Sequence, residues 1–204
     1  MKNRTKLPNI YLGVVLALMY VPILLVILYS FNESKISSVW DGFSLKWYQE
    51  LFRDEDLFQA LWNSILLGVL SSCAAAVIGT LGAYGMSKVK FPLKGAVEYV
   101  STLPIMIPEI ILGMVFMAFF SLIGISFGMG TLVIAHTAFC IPYVFMLVKA
   151  RLVGMDQSLP EAAQDLGASP VRVFFDITLP LVAPAIASGM LLAFAMSMDD
   201  VIIS

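Results

Sequence analysis

Charge is scarce in this chain. Only 13% of its 204 residues are Asp, Glu, Lys or Arg, about half the ~25% usual in soluble domains. The 12 basic and 14 acidic side chains leave a net charge of −2. No Lys/Arg-rich block occurs, so nothing provides the electrostatic footprint that nucleic acid requires. Histidine occurs once, as His136, and cysteine twice, as Cys73 and Cys140 in separate apolar runs. That excludes a disulfide framework and a metal site, and both cysteines read as small buried hydrophobes. There is no G-x-x-x-x-G-K-[ST] and no Gly-Lys dipeptide. The closely spaced glycines of "GISFGMG" lack the strand–turn–helix setting of a phosphate loop. A nucleotide site and a clustered catalytic centre are therefore not expected in this chain.

What is abundant is hydrocarbon: 60% of the residues are hydrophobic. A spanning helix needs about 20 predominantly apolar residues. Five runs qualify, at 10–31, 61–86, 99–123, 130–148 and 181–204. The first is too long for a signal core and no small-residue cleavage site follows it, so it reads as a retained anchor. The basic residues orient the set. With the N-terminus inside, Lys2, Arg4, Lys6, Lys88, Lys90, Lys94, Lys149, Arg151 and Arg172 lie inside, against Lys35, Lys46 and Arg53 outside. The apolar run that reaches Ser204 has no basic or aromatic anchor after it. The expectation is therefore a truncated chain with at least one further helix to follow. In the second run Ser71, Ala75 and Gly79, and likewise Ser72, Ala76 and Thr80, recur every four residues, a pattern that lets helix backbones approach closely. In the outer loop "LKWYQELFRDEDLFQAL" puts Leu45, Tyr48, Leu51 and Phe52 on one helical face, which predicts a helix lying on the membrane surface.

One polar segment interrupts this pattern, "RLVGMDQSLPEAAQDLGASPVRVFFDITLP", within the predicted cytoplasmic loop 149–180. Ser158 and Glu161 have the spacing of a capping box. Pro160 falls in the first turn, where its missing N–H costs little. Gly167 supplies the left-handed position that ends a helix, and Ser169 and Pro170 then start another. The loop spends about thirty residues where a few would connect two spans. It also displays a short helix with Ala162, Ala163 and Leu166 available for contact. It reads either as a well-capped linker or as a plug for another protein's groove.

The residues Glu161, Ala162, Ala163, Gly167, Ile177, Leu179 and Pro180 fall at the positions of the cytoplasmic loop of ABC importer permeases, the EAA loop. "FSLKWYQELF", "NSILLGVLSS" and "MSMDDVIIS" extend the resemblance over nearly the whole chain, which is similar to permeases of the spermidine/putrescine type. The resemblance implies an all-α, polytopic transmembrane bundle of the ABC importer permease type: a single permease domain over 1–204, five spans present against a family core of six. It implies a bacterial inner-membrane location and a homologous permease as heterodimeric partner. Two ATP-binding subunits would hold ATP and Mg, and a periplasmic or lipoprotein substrate-binding protein would deliver a polyamine. It further implies that the 158–180 loop seats its short helix in a cleft of the ATPase. There Ser158, Glu161, Ala162, Ala163 and Gly167 would carry the coupling, while the chain itself holds no cofactor and catalyses nothing.

Ionisable groups inside spans mark function by default. Glu109 lies in the third run after Pro104 and Pro108, and Asp199 and Asp200 lie in the fifth. Carboxylates in a pathway suit a polyvalent ammonium substrate. The alternatives are an interhelical hydrogen bond for Glu109 and simple hydration for the aspartates. Adjacent helical residues diverge by ~100°, so at most one of Asp199 and Asp200 faces a pathway squarely; neutralising either should raise the substrate concentration needed for uptake and leave assembly intact. His136 is expected to be a hydrogen-bonded packing residue. The competing functions are import of another small solute (amino acid, metal ion or sugar), a membrane scaffold, and a membrane enzyme.

Overall fold

The computed structural model describes residues 6–36, 39–200 and 203. Lys2 and Arg4, used in the charge count, and Val201, Ile202 and Ser204 of the last run lie outside the described residues. The described residues form helices α1 (Lys6–Tyr29), α2 (Lys46–Leu51), α3 (Glu55–Lys88), α4 (Lys94–Met106), α5 (Glu109–Leu122), α6 (Met129–Val153), α7 (Ser158–Asp165), α8 (Pro170–Val173) and α9 (Leu179–Asp199). Between α8 and α9 the chain winds one π turn, Phe174–Thr178. The only β pairing among them is an isolated bridge of Asn32 with Phe43. The contacts divide the chain into two compact units, Met1–Ala60 and Leu61–Ser204.

In the first unit the loop between α1 and α2 is tied around Asn32, which is buried. Its Oδ1 accepts from Asp41 N (2.9 Å) and its carbonyl accepts from Trp47 Nε1 (3.0 Å). Ser30 Oγ and Tyr48 OH share a hydrogen bond of 2.7 Å. The amphipathic helix expected from Leu45 onward is cut short. α2 ends at Leu51, and Asp54 Oδ1 then accepts from Leu57 N at 3.0 Å. The acidic stretch "RDED" is thus a helix start: Asp54 caps α3, and Glu55 and Asp56 occupy its first turn, where the helix dipole favours them.

The second unit is built on α3, α6 and α9. Ser71, Ala75 and Gly79 are buried, as are Ser72, Ala76 and Thr80, so both small-residue rows face protein. Gly79 shows why they are small. A Cβ placed there would lie 2.9 Å from Val144 Cβ and 3.1 Å from two backbone atoms of α6. Gly189 on α9 approaches the same residue, with its hypothetical Cβ 3.1 Å from Val144 Cα. Val144 is therefore clasped between two glycines. Cys140 is buried as expected, but Cys73 is exposed, because it lies on α3 beyond both buried rows, on the face turned away from α6 and α9.

Among the described residues four helical stretches are long and apolar enough to cross a membrane: Pro8–Tyr29, Glu55–Lys88, Met129–Val153 and Pro170–Asp199. The third predicted span is not one helix. α4 and α5 meet at 107° across Ile107 and Pro108. Pro108 lacks the N–H that would continue α4, and it holds Ile107 in an extended conformation. The last span starts eleven residues before the apolar run does. Pro180 cannot donate to the carbonyl of Asp176, and its ring crowds that carbonyl. The π turn widens the helix immediately before it, and α8 and α9 then continue as one rod.

Candidate functional site

The polar loop folds into the helix–turn–helix its residues predict, with one change at the start. α7 begins at Ser158, after Gln157, and no side chain caps it in the Ser/Glu manner. Asp156 Oδ1 instead accepts from Ser158 N at 2.9 Å. The Ser158–Glu161 capping box is thus replaced by an Asx turn from Asp156, two residues upstream, because Ser158 is already inside the helix. Those hydrogen bonds hold the Asp156 carboxyl below the ordinary carboxylate range. Glu161 stays in the first turn, exposed, with the dipole in its favour. Pro160, also in that turn, is buried beneath it.

The end of α7 is a Schellman motif. Gly167 has φ +86°, its N–H donates to Gln164 O (2.8 Å), and Ala168 N donates to Ala163 O (3.0 Å). Ser169 Oγ then accepts from Arg172 N (3.4 Å) and Pro170 takes the first position of α8. The helix so framed carries an apolar stripe: Leu159, Ala162, Ala163 and Leu166 are spaced i, i+3, i+4, i+7. Leu166 is 90% exposed and Leu159 49%. Leu159 did not figure among the contact residues read from the sequence, although that spacing identifies it.

The loop is held firmly from behind. Val173 and Phe174 are buried, and Phe174 packs on Tyr84 of α3 with ring centroids 4.5 Å apart. Arg151 Nε donates to Leu181 O (3.1 Å), tying the end of α6 to the start of α9. From the Ser169 cap the rod runs thirty residues, Pro170–Asp199, about 45 Å at 1.5 Å per residue.

At its far end the two aspartates part company. Asp199 ends α9 and is exposed. Asp200 leaves the helix with extended backbone, and its side chain is 1% exposed. Its Oδ2 lies 3.7 Å from His136 Nε2, and its Oδ1 accepts from Ile203 N (3.2 Å). His136, fully buried, shares a 2.8 Å hydrogen bond between Nδ1 and Ser197 Oγ, and Ser197 Oγ is 3.2 Å from Ser71 Oγ. This joins α3, α6 and α9 in one buried polar chain, and His136 is the packing residue expected. Glu109 is half-buried in the first turn of α5, at the 107° break rather than inside a continuous span. Among the described residues no three His, Cys, Asp or Glu side chains converge, so Glu109, Asp199 and Asp200 do not share one cluster.

Several membrane-length helices, with no strand among the described residues, and a loop that presents an apolar stripe define a polytopic α-helical membrane protein. Residues 75–204 match the family described as "Binding-protein-dependent transport system inner membrane component". The chain belongs to that family and is an inner-membrane permease component of an ABC transport system. It is similar to the spermidine/putrescine transport system permease protein PotC of Haemophilus influenzae, 39% identical over 99% of this chain and 79% of that protein. The putrescine transport system permease protein PotI of Escherichia coli K12 is 40% identical over 91% of this chain and 69% of its own length. PotC of the same strain is 38% identical over 95% and 74%.

Proposed function

We propose that this chain forms half of the translocation pathway of an ATP-driven polyamine importer, with spermidine or putrescine as cargo. It pairs with a homologous permease, receives cargo from a binding protein outside, and meets an ATPase that holds ATP and Mg. The N-terminus lies in the cytoplasm, on the side of the 158–180 loop.

The observation that carries this reading is the exposed stripe on α7, joined through one rod to an acidic outer end. An ATPase cleft that closes on Leu159, Ala162, Ala163 and Leu166 would move α7, and α8–α9 would carry that displacement without an intervening loop. At the other end Asp199, exposed, suits a charge-assisted hydrogen bond to an ammonium group. Asp200, held against His136, suits a positioning role, fixing the end of α9 to α6. Glu109 at the broken span is the second candidate contact, since interrupted helices recur at transporter binding sites.

Two experiments test the proposal. The permease should retain an ATPase subunit on purification, and Glu161→Lys or Gly167→Pro should abolish that retention; normal binding by both variants sinks the coupling role. Reconstituted with its genomic neighbours, it should take up labelled spermidine or putrescine in preference to amino acids and sugars. ATP hydrolysis without polyamine movement would keep the transporter and discard the cargo.

A further inference from the structure

Behind the coupling helix lies a second polar feature that the transport reading does not use. A cavity of about 250 Å³ opens where the ends of α3 and α6 meet the start of α4. Its wall includes Lys88, Lys94, Lys149, Glu98, Gln157 and Thr178. Three ammonium groups face one carboxylate, and that carboxylate is engaged: Lys149 Nζ lies 2.7 Å from Glu98 Oε2. Among the described residues neither Lys88 nor Lys94 has a carboxylate within salt-bridge distance.

Ordinary helix electrostatics explains only one of the two. Lys88 sits in the last turn of α3, where the dipole welcomes a cation, and its Nζ lies 5.8 Å from the centroid of the Tyr84 ring. Lys94 is the first residue of α4, where the dipole is positive and a cation is disfavoured. α4 has no acidic residue in its first turn and no capping side chain. Thr178, on the same wall, is 1% exposed, and its hydroxyl has no hydrogen-bond partner. The uncapped helix start, the unmatched positive charge and the buried hydroxyl each call for the same complement, an anion with several acceptor oxygens.

We propose that this cavity binds a phosphate group, carried either by an anionic phospholipid headgroup or by a free phosphate. Its volume is below that of sites for drug-sized ligands and suits a headgroup. Basic pockets between helices at the cytoplasmic boundary bind such groups in other membrane proteins. Met155 and Gln157 line the cavity and directly precede α7. An occupant would therefore brace the root of the coupling helix. That the cavity faces the inner leaflet rests on the proposed orientation; that it takes an anion does not.

The test uses the transporter assembled with its ATPase. Phosphatidylglycerol retained by the purified complex is measured by native mass spectrometry, with phosphatidylcholine as the neutral control. Lys88→Gln/Lys94→Gln should weaken phosphatidylglycerol retention about fivefold for each lysine removed, whereas Lys35→Gln/Lys46→Gln, on the outer loop, should not. If millimolar inorganic phosphate displaces the lipid, the natural occupant is a free phosphate; if it does not, the occupant is the headgroup. In the wild-type complex, acetylation of Lys88 and Lys94 should slow when either probe is bound. Equal retention by wild type and double variant overturns the proposal. So does the absence of protection by both probes, which also decides the matter if the double variant fails to assemble. ATPase retention is read in parallel, and its loss with anion binding intact counts against the coupling role alone.

Discussion

Replacing Gly167 by Ala isolates one backbone angle at the end of α7, the proposed coupling helix. An L-residue at φ +86° carries strain of roughly 1–2 kcal/mol. No steric contribution adds to it, because a Cβ at Gly167 would meet nothing within 4 Å. The chain can relieve the strain by turning to negative φ, but it then loses the bonds Gly167 N to Gln164 O and Ala168 N to Ala163 O. Each of these contributes about 0.5–1.5 kcal/mol net, so unwinding costs about as much as the strain it relieves. If the ATPase grips α7 only when Leu166 is held by that turn, docking should weaken roughly 5- to 30-fold. The assay is a titration of purified ATPase against the permease. Gly167→Asn should recover part of the affinity, since asparagine tolerates the left-handed region. Gly154→Ala is the control: its φ is −85° and its added Cβ would lie no closer than 3.7 Å to its neighbours. Wild-type affinity in Gly167→Ala, or an equal loss in Gly154→Ala, would mean that the left-handed turn does not hold α7 for docking.

Gly79→Ala should lower the thermal midpoint of the complex by the equivalent of about 1–3 kcal/mol, the usual effect of overpacking. Gly85→Ala, on the same helix with open space beside it, should not. Asp199→Asn should raise the polyamine concentration needed for half-maximal uptake with the melting profile unchanged. Asp200→Asn should instead destabilise by about 1–3 kcal/mol, because it disturbs a buried partner of His136; equal melting of the two variants would remove that distinction. Asp156 has a lowered folded-state pKa, so its contribution to α7 is present at neutral pH. It is lost only as the pH falls through that lowered value, below about 4. ATPase retention by Asp156→Asn, which keeps the acceptor and does not titrate, should match wild type at neutral pH and exceed it in acid.

What neighbouring residues specify and what they leave open divides along the range of the forces. Gly167, Ser169 and Pro170 were legible because each acts through its own backbone: a positive φ, a hydroxyl one turn away, a missing N–H. Hydrocarbon runs of membrane length were legible because hydropathy adds along the chain, and the Ser71–Ala75–Gly79 row because four-residue spacing makes a face. The capping box failed locally, since Asp156 offered a better-placed acceptor than Ser158 could. The break at Ile107–Pro108 was half visible: two prolines announce trouble in a helix, but the 107° bend depends on what surrounds it.

Neighbouring residues suffice to specify an all-α membrane protein with a capped loop, because spans, caps and glycine turns are each written locally. It takes the folded chain to bury Asp200 on His136 while Asp199 stays exposed, to bring Ser71 and Ser197 together across 126 positions, and to gather Lys88, Lys94 and Lys149 around one cavity. Those facts depend on which side chains converge from distant segments, and no local periodicity encodes that convergence.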